Sequence, residues 1–238
     1  MKFLRSRSRR QLLRAGGALL VTLGAMLLLY CGEFTVPLDD KAGMEAAIDA
    51  YFFTLSVDAN ILEIDRAGNT DVIFFERQGY PGQHGTAYLE RGLFGRGRFT
   101  SASLGNWPLY GCRVKTIGDK NFLIVSGLYD LPADVQSWAV YPGTSIVPLW
   151  QDGTQDAPFQ EVIELEDAAA YTWLDATDVH YYGADGQELN AQEIAASLPQ
   201  AVSGNCPSVG TAELGVIYML LALTAIIGLA VMWLLLLF

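Results

Sequence analysis

The chain has 238 residues, of which 51% are hydrophobic and only 17% charged, and its formal net charge is −11. This combination argues against a soluble domain with evenly spread charges, and it indicates that the apolar residues are concentrated in particular segments. Six of the 15 lysines and arginines lie in the first fourteen residues, and none follows Lys120. Because nucleic-acid binding needs clustered basic side chains on an accessible surface, this distribution argues against a nucleic-acid partner.

The chain begins with a basic segment and an uncharged one. We interpret residues 1–14 as a cytoplasmic tail and residues 15–31 as the first transmembrane helix, because positive charge beside a span remains in the cytoplasm. The bulky residues at 28–30 argue against a cleaved signal peptide, which needs small residues before the cut, although cleavage stays open. The arginines that set this orientation are Arg5, Arg7, Arg9, Arg10 and Arg14.

A second uncharged segment covers residues 215–238, and as a helix it would be about 36 Å long, enough to cross a bilayer. Residues 32–211 lie between the spans and carry 25 acidic and 9 basic residues, a net charge of −16. We expect them to form one extracytoplasmic domain, softly divided near residue 120, where basic residues stop. Both termini are then on the cytoplasmic side of the membrane.

Periodicity within this domain predicts a β-rich α+β fold with antiparallel hairpins. A helix is expected after Asp40, with apolar residues spaced along one face. Short apolar runs separated by glycine turns then indicate strands. Asn190 and Glu193 have the spacing of a capping pair that opens a short helix, which ends before Pro199.

One hairpin, VIFFER followed by AYLERGLFGRGRF, resembles a hairpin of membrane-anchored proteins of Gram-positive bacteria. The resemblance lies in a hydrophobic strand with an aromatic pair, and in a Leu-Phe-Gly turn before a second basic strand. It covers about an eighth of the chain, and it implies a bacterial cell-surface protein without implying any chemistry. The residues that carry it are Ile73, Phe74, Phe75, Leu93, Phe94 and Gly95.

Two cysteines, Cys112 and Cys206, lie well inside the predicted extracytoplasmic domain. A disulfide between them is compatible with an oxidising compartment, and two separate buried thiols are the alternative. Cys31 would lie at the membrane boundary.

The sequence offers little for catalysis. With only two histidines, His84 and His180, and no CxxC or HExxH pattern, no zinc centre is expected. Asp178 and His180 would share a strand face, as a base and its orienting carboxylate do, but no nucleophile motif accompanies them. We therefore expect no enzyme and no cofactor. Glu164, Glu166 and Asp167 are weak candidates for a cation site, since acidic residues on a solvated strand need no ion.

The second half of the domain is rich in aromatic residues, which favour binding surfaces because they bring large contact area at low entropic cost. They are also ordinary core residues. The candidate surface consists of Trp138, Tyr141, Trp150, Tyr171, Trp173, Tyr181 and Tyr182.

These patterns indicate a membrane-anchored binding, sensory or accessory module. Its expected partners are the lipid bilayer and another membrane or cell-surface protein, or a basic or glycan ligand. One alternative is a structural subunit of a multi-span complex, for which small residues in both spans provide packing faces. A remote alternative is a hydrolase that uses Asp178 and His180.

Overall fold

A computed structural model describes residues 8–53, 55–141, 148–165, 179–200, 206–210 and 216–237. The chain divides into two compact units. The helical unit consists of Met1–Thr35 and Thr211–Phe238, and the sheet unit consists of Val36–Gly210.

The helical unit contains two long apolar helices, α1 (Arg9–Glu33) and α4 (Val216–Leu237). Each is long and apolar enough to cross a membrane, as judged by length and composition. Helix α1 begins before the first predicted span, because Ser8 and Gln11 form a capping box there. In that box Ser8 Oγ accepts from the Gln11 N–H and the Gln11 side chain accepts from the Ser8 N–H, which satisfies two donors that the first helical turn leaves open.

The two helices pack against each other. Gly228 on α4 lies directly against Thr22 on α1, and a Cβ atom at position 228 would overlap the Thr22 side chain. The Thr22 hydroxyl donates to the Ala18 carbonyl, 2.9 Å away, so its polar group is satisfied within its own helix. Small residues thus permit close packing, as their spacing in the sequence predicts.

The described part of the sheet unit contains thirteen strands and two short helices. The helices are α2 (Lys41–Tyr51) and α3 (Ala191–Ser197). The strands are β1 (Val36–Pro37), β2 (Ala59–Ala67), β3 (Thr70–Arg77), β4 (His84–Arg91), β5 (Arg96–Gly105), β6 (Gly111–Ile117), β7 (Lys120–Gly127), β8 (Ser137–Val140), β9 (Trp150–Gly153), β10 (Phe159–Leu165), β11 (Val179–Tyr182), β12 (Glu188–Leu189) and β13 (Ser208–Gly210).

These strands form three sheets in which every pair is antiparallel. Sheet A has the order β1-β5-β4-β3-β2, and β13 also pairs with β5. Sheet B has the order β10-β7-β6, and sheet C has the order β12-β11-β8-β9. The expected β-rich antiparallel fold is confirmed.

Helix α2 covers one face of sheet A. Its buried Ile48 and the following Phe52 pack on Ile73, Phe75 and Leu89 of the sheet in one hydrophobic core. The helix begins after Asp40 as predicted, although the Asp40 side chain does not cap it. The predicted apolar face of this helix is therefore what attaches it to the sheet.

Sheet B covers the other face of sheet A. Val72 and Tyr88 of sheet A form a small core with Phe122 and Ile124 of sheet B. Buried Gln160 ties the two sheets, since its side-chain amide donates to the Val72 carbonyl at 3.0 Å.

A third core lies between sheets B and C, and it includes Ile194 of α3 and Leu198, which follows the helix. The Asn190 side chain caps α3 by accepting from the Gln192 N–H, and it also hydrogen-bonds Glu193, as predicted. Lys120 is the first residue of β7, within the β6–β7 hairpin, so the change in charge near residue 120 is not a structural boundary.

The Leu-Phe-Gly turn connects β4 to β5. Phe94 and Gly95 both have positive φ angles, of 60° and 66°, and the Leu93 and Phe94 side chains are exposed. Glycine tolerates this backbone conformation, whereas Phe94 adopts it at some energetic cost.

Candidate functional site

The outer face of sheet C brings together several of the polar aromatic residues that the sequence suggested. Alternation along β11 buries Val179 and Tyr181 in the core and leaves His180 and Tyr182 on the opposite face. Strand β12 pairs with β11 so that Glu188 lies opposite Tyr182. We call Tyr141, His180, Tyr182 and Glu188 the tyrosine–histidine face.

Two hydrogen bonds organise this face. His180 Nδ1 lies 2.7 Å from Glu188 Oε1, and the Tyr182 hydroxyl donates to the Tyr141 hydroxyl at 3.0 Å. The Tyr141 ring meets the His180 ring edge-on, with centroids 4.9 Å apart. The four side chains therefore form one connected group on an open sheet surface.

A second negative charge beside Glu188 is unfavourable on this face. Partial burial, the hydrogen bond with Tyr141 and the Glu188 charge together raise the pKa of Tyr182 to about 12. Tyr182 is thus a neutral phenol at physiological pH, and the exposed Glu188 carboxylate supplies the negative charge. A carboxylate beside aromatic rings is suited to a cationic group, through ion pairing and cation–π contact.

Other members of the predicted aromatic surface lie elsewhere. Trp138 and Tyr181 are only 0% and 1% exposed, so they are core residues and not surface residues. The Trp138 indole donates to the Gly153 carbonyl at 2.8 Å, and the Tyr181 hydroxyl accepts from the Tyr110 N–H at 3.1 Å. Trp150 packs half-buried against the same core. The remaining two, Tyr171 and Trp173, lie outside the described residues.

The carboxylate that contacts His180 is Glu188, and the predicted partner Asp178 lies outside the described residues. In the described part of the chain, no serine or cysteine hydrogen-bonds to His180. Within the described residues, the arrangement holds the His180 imidazole between the Glu188 carboxylate and the Tyr141 ring.

Of the three weak candidates for a cation site, the structure describes only Glu164. Glu164 pairs with Lys120 at 2.6 Å, while Glu166 and Asp167 lie outside the described residues. Among the described residues there is no group of three or more potential metal ligands.

Of the two alternatives that the sequence leaves open for Cys112 and Cys206, the described structure contains no disulfide bond between them. Cys112 is buried in the core between sheets B and C, whereas Cys206 is partly exposed just before β13. Cys31 is exposed on α1.

The structure describes only some of the basic residues of the N-terminal segment. Arg9, Arg10 and Arg14 lie in the first turns of α1, and Arg5 and Arg7 lie outside the described residues.

Sequence reasoning missed two residues of interest. Glu188 was not included, although the short connection between β11 and β12 sets the register that places it opposite Tyr182. His84 was noted only as a poor zinc ligand, yet it is fully buried between Phe74 and Trp107. Burial lowers the pKa of His84 to about 4, so this side chain is neutral at physiological pH.

No family model, curated protein or solved structure matches the chain.

Proposed function

We propose that the protein is a two-span membrane protein that uses the tyrosine–histidine face to bind a basic segment of another membrane or cell-surface protein. The two apolar helices support membrane anchoring, because α4 is a 22-residue helix without any charged side chain. A helix of this kind has no polar face to turn towards water.

The ends of the sheet unit are compatible with two adjacent spans. Val36 pairs with Gly97 and Gly210 pairs with Ser101, on the same edge of β5. These two partners are four residues apart, or about 13 Å at about 3.3 Å per residue. The chain thus enters and leaves the sheet unit at neighbouring points, as two packed helices in one membrane require.

The proposed orientation rests on charge. Basic residues precede α1, which favours a cytoplasmic N-terminus and an extracytoplasmic sheet unit. In this orientation the acidic domain faces away from the cytoplasm, where basic proteins and peptides can reach it.

The observation that carries the proposed binding role is the connected group of Tyr141, His180, Tyr182 and Glu188. Side chains on the solvated face of a sheet are commonly isolated, whereas these four are held by two hydrogen bonds and one ring contact. Such a group is preorganised, so a ligand need not pay to order it. The Glu188 carboxylate is more than half exposed and is the natural contact for a lysine or arginine.

The proposal is tested by titrating the full-length protein, in nanodiscs of uncharged lipid, with a fluorescent oligolysine peptide. We expect saturable binding that Glu188→Gln weakens about tenfold, the effect of losing one charge-assisted contact. Asp185→Asn removes the same charge three residues away, on the turn before β12, and should leave the affinity within about twofold. Equal effects of the two variants would show that only net charge matters, and would refute a specific site.

A structural role in a multi-span complex is the second candidate, and it would use the apolar residues of α1 and α4 that stay exposed after Thr22 packs on Gly228. It predicts that replacing both helices with unrelated hydrophobic helices abolishes cellular function, while the Glu188 variant has no effect. An uncharged oligosaccharide is included as a further probe. Binding of this probe without binding of oligolysine would replace the basic partner with a glycan.

A further inference from the structure

A second group of polar side chains lies between sheets A and B, away from the tyrosine–histidine face. In sheet A, Thr86 lies opposite Ser103 and Tyr88 lies opposite Ser101. Since directly opposed residues share a face, four hydroxyl groups line the same side of the sheet. Strand β13 extends the row, because Ser208 pairs with Ser103.

Strand β6 places two cations against these hydroxyl groups. Arg113 and Lys115 are two residues apart and therefore project to the same side. Arg113 Nη1 donates to Ser103 Oγ at 2.9 Å, and Lys115 Nζ lies 4.9 Å from the centroid of the Tyr88 ring. Both cations and both serines are only partly buried, so the group is open to solvent at the sheet edge.

No carboxylate in the described part of the chain pairs with Arg113 or Lys115. Two basic residues of sheet A, by contrast, have acidic partners, because Arg91 pairs with Asp71 and Arg98 pairs with Glu90. Burial and the neighbouring Arg113 charge lower the pKa of Lys115, whereas an ion pair would raise it. Among the described residues, these two neighbouring cations thus have no acidic partner, although the domain carries a net charge of −16.

At least one of these hydroxyl groups can still form a hydrogen bond. The Ser101 Oγ is buried and has no hydrogen-bond partner among the described residues. Tyr88 is 3% exposed, with its ring at the back of the group. Buried polar atoms are normally hydrogen-bonded, so an unpartnered hydroxyl beside two cations indicates a ligand or solvent acceptor.

We propose that Arg113, Lys115, Ser101, Ser103, Thr86 and Tyr88 form an anion-binding cleft for a phosphate group. A guanidinium, an ammonium and several hydroxyls offer donors from different directions, which fits the three or four acceptor oxygens of a phosphate better than the two of a carboxylate. The phosphate belongs either to a dissolved phosphate ester or to a lipid headgroup. This inference is independent of the proposed basic partner, because it uses different residues and a ligand of opposite charge.

The first arm of the test uses inorganic phosphate as the probe. The full-length protein in uncharged maltoside micelles is titrated at constant ionic strength, with sodium chloride replacing phosphate, and the unfolding midpoint is followed by tryptophan fluorescence. At tenfold excess over Kd we expect a rise of about 3 °C. Arg113→Gln and Lys115→Gln should each remove most of this rise, and Lys41→Gln, an exposed lysine on α2, should retain it.

The second arm uses nanodiscs that contain either phosphatidylcholine alone or phosphatidylcholine with phosphatidylglycerol. Lipid retained after release is measured by native mass spectrometry. Retention of phosphatidylglycerol that depends on Arg113 and Lys115, with little response to inorganic phosphate, assigns the site to a lipid headgroup. The opposite pattern assigns it to a soluble phosphate.

A wild-type measurement keeps the test independent of variant folding. Reductively ¹³C-methylated lysines are observed by NMR, and phosphate or phosphatidylglycerol should shift the Lys115 signal and leave the Lys41 signal unchanged. The proposal is overturned if neither probe shifts Lys115, or if chloride at equal ionic strength reproduces the phosphate effect.

Discussion

His84 makes the folded protein sensitive to acid, and this effect can be calculated from its surroundings. The side chain is 0% exposed, its Nδ1 lies 3.2 Å from the Gly82 carbonyl, and the rings of Phe74 and Trp107 pack on it. Burial, opposed by the hydrogen bond to Gly82 and aided by the Arg113 charge, lowers its pKa from 6.5 to about 4. The folded state therefore binds this proton more weakly than the unfolded state does.

The sign and size of the effect follow from this difference. Above about pH 6.5 the histidine is neutral in both states, and its full contribution to stability is present. As the pH falls towards 4 the unfolded state takes up the proton first, so stability is lost. The total loss is about 3 kcal/mol, of which about 2 kcal/mol is reached near pH 5.

The assay compares the wild type with His84→Phe and His84→Gln, each full-length and in the same detergent. Unfolding free energies are measured between about pH 8 and pH 5, and carboxylates that titrate in this range contribute equally to all three proteins. On acidification, the unfolding free energy of both variants should fall by about 2 kcal/mol less than that of the wild type, whatever their stability at neutral pH. Parallel pH profiles for the wild type and both variants would refute the assignment of a buried neutral His84.

Two further substitutions test other parts of the structure. Gly228→Val places a side chain where Thr22 lies. We expect this variant to lower the unfolding free energy of the full-length protein by about 1–3 kcal/mol, as measured by thermal unfolding. Gly16→Val is the control, because a Cβ atom at position 16 has no neighbour within 4 Å. Asp71→Asn weakens the contact with Arg91, whose Nη1 is 2.7 Å from the carboxylate, and should cost about 2 kcal/mol in urea unfolding. A cost below about 0.5 kcal/mol for either substitution would contradict the packing or the ion pair described.

Local sequence signals were sufficient for the helices and hairpins. Apolar spacing places α2 and the capping residue Asn190 places α3 to within a few residues, because both signals act within one or two turns. The short connection between β11 and β12 likewise fixes the register of this hairpin. The hairpin alone does not show which strand pairs with the other edge of β11. In the structure that strand is β8, and its Trp138 is buried.

The stacking of sheets could not be derived from the sequence. Sheet B combines the β6–β7 hairpin with β10, and its register pairs Phe159 with Gly127 across more than thirty residues. Nothing in the local pattern of β6 indicates that Arg113 faces Ser103 of another sheet. The cleft was missed for this reason, because its cations and hydroxyl groups come from strands that meet only through tertiary packing.

The cleft also limits what net charge can say about function. A domain with a charge of −16 should repel phosphate at long range, and on composition alone an anion ligand would be excluded. At physiological ionic strength, however, charges more than about 8 Å apart are largely screened. A phosphate at the proposed site would contact the Arg113 and Lys115 cations, and no described carboxylate pairs with either of them. Screening would thus let one acidic domain carry both proposed sites, an acidic face for a basic partner and a basic cleft for a phosphate, because the two are formed by different sheets.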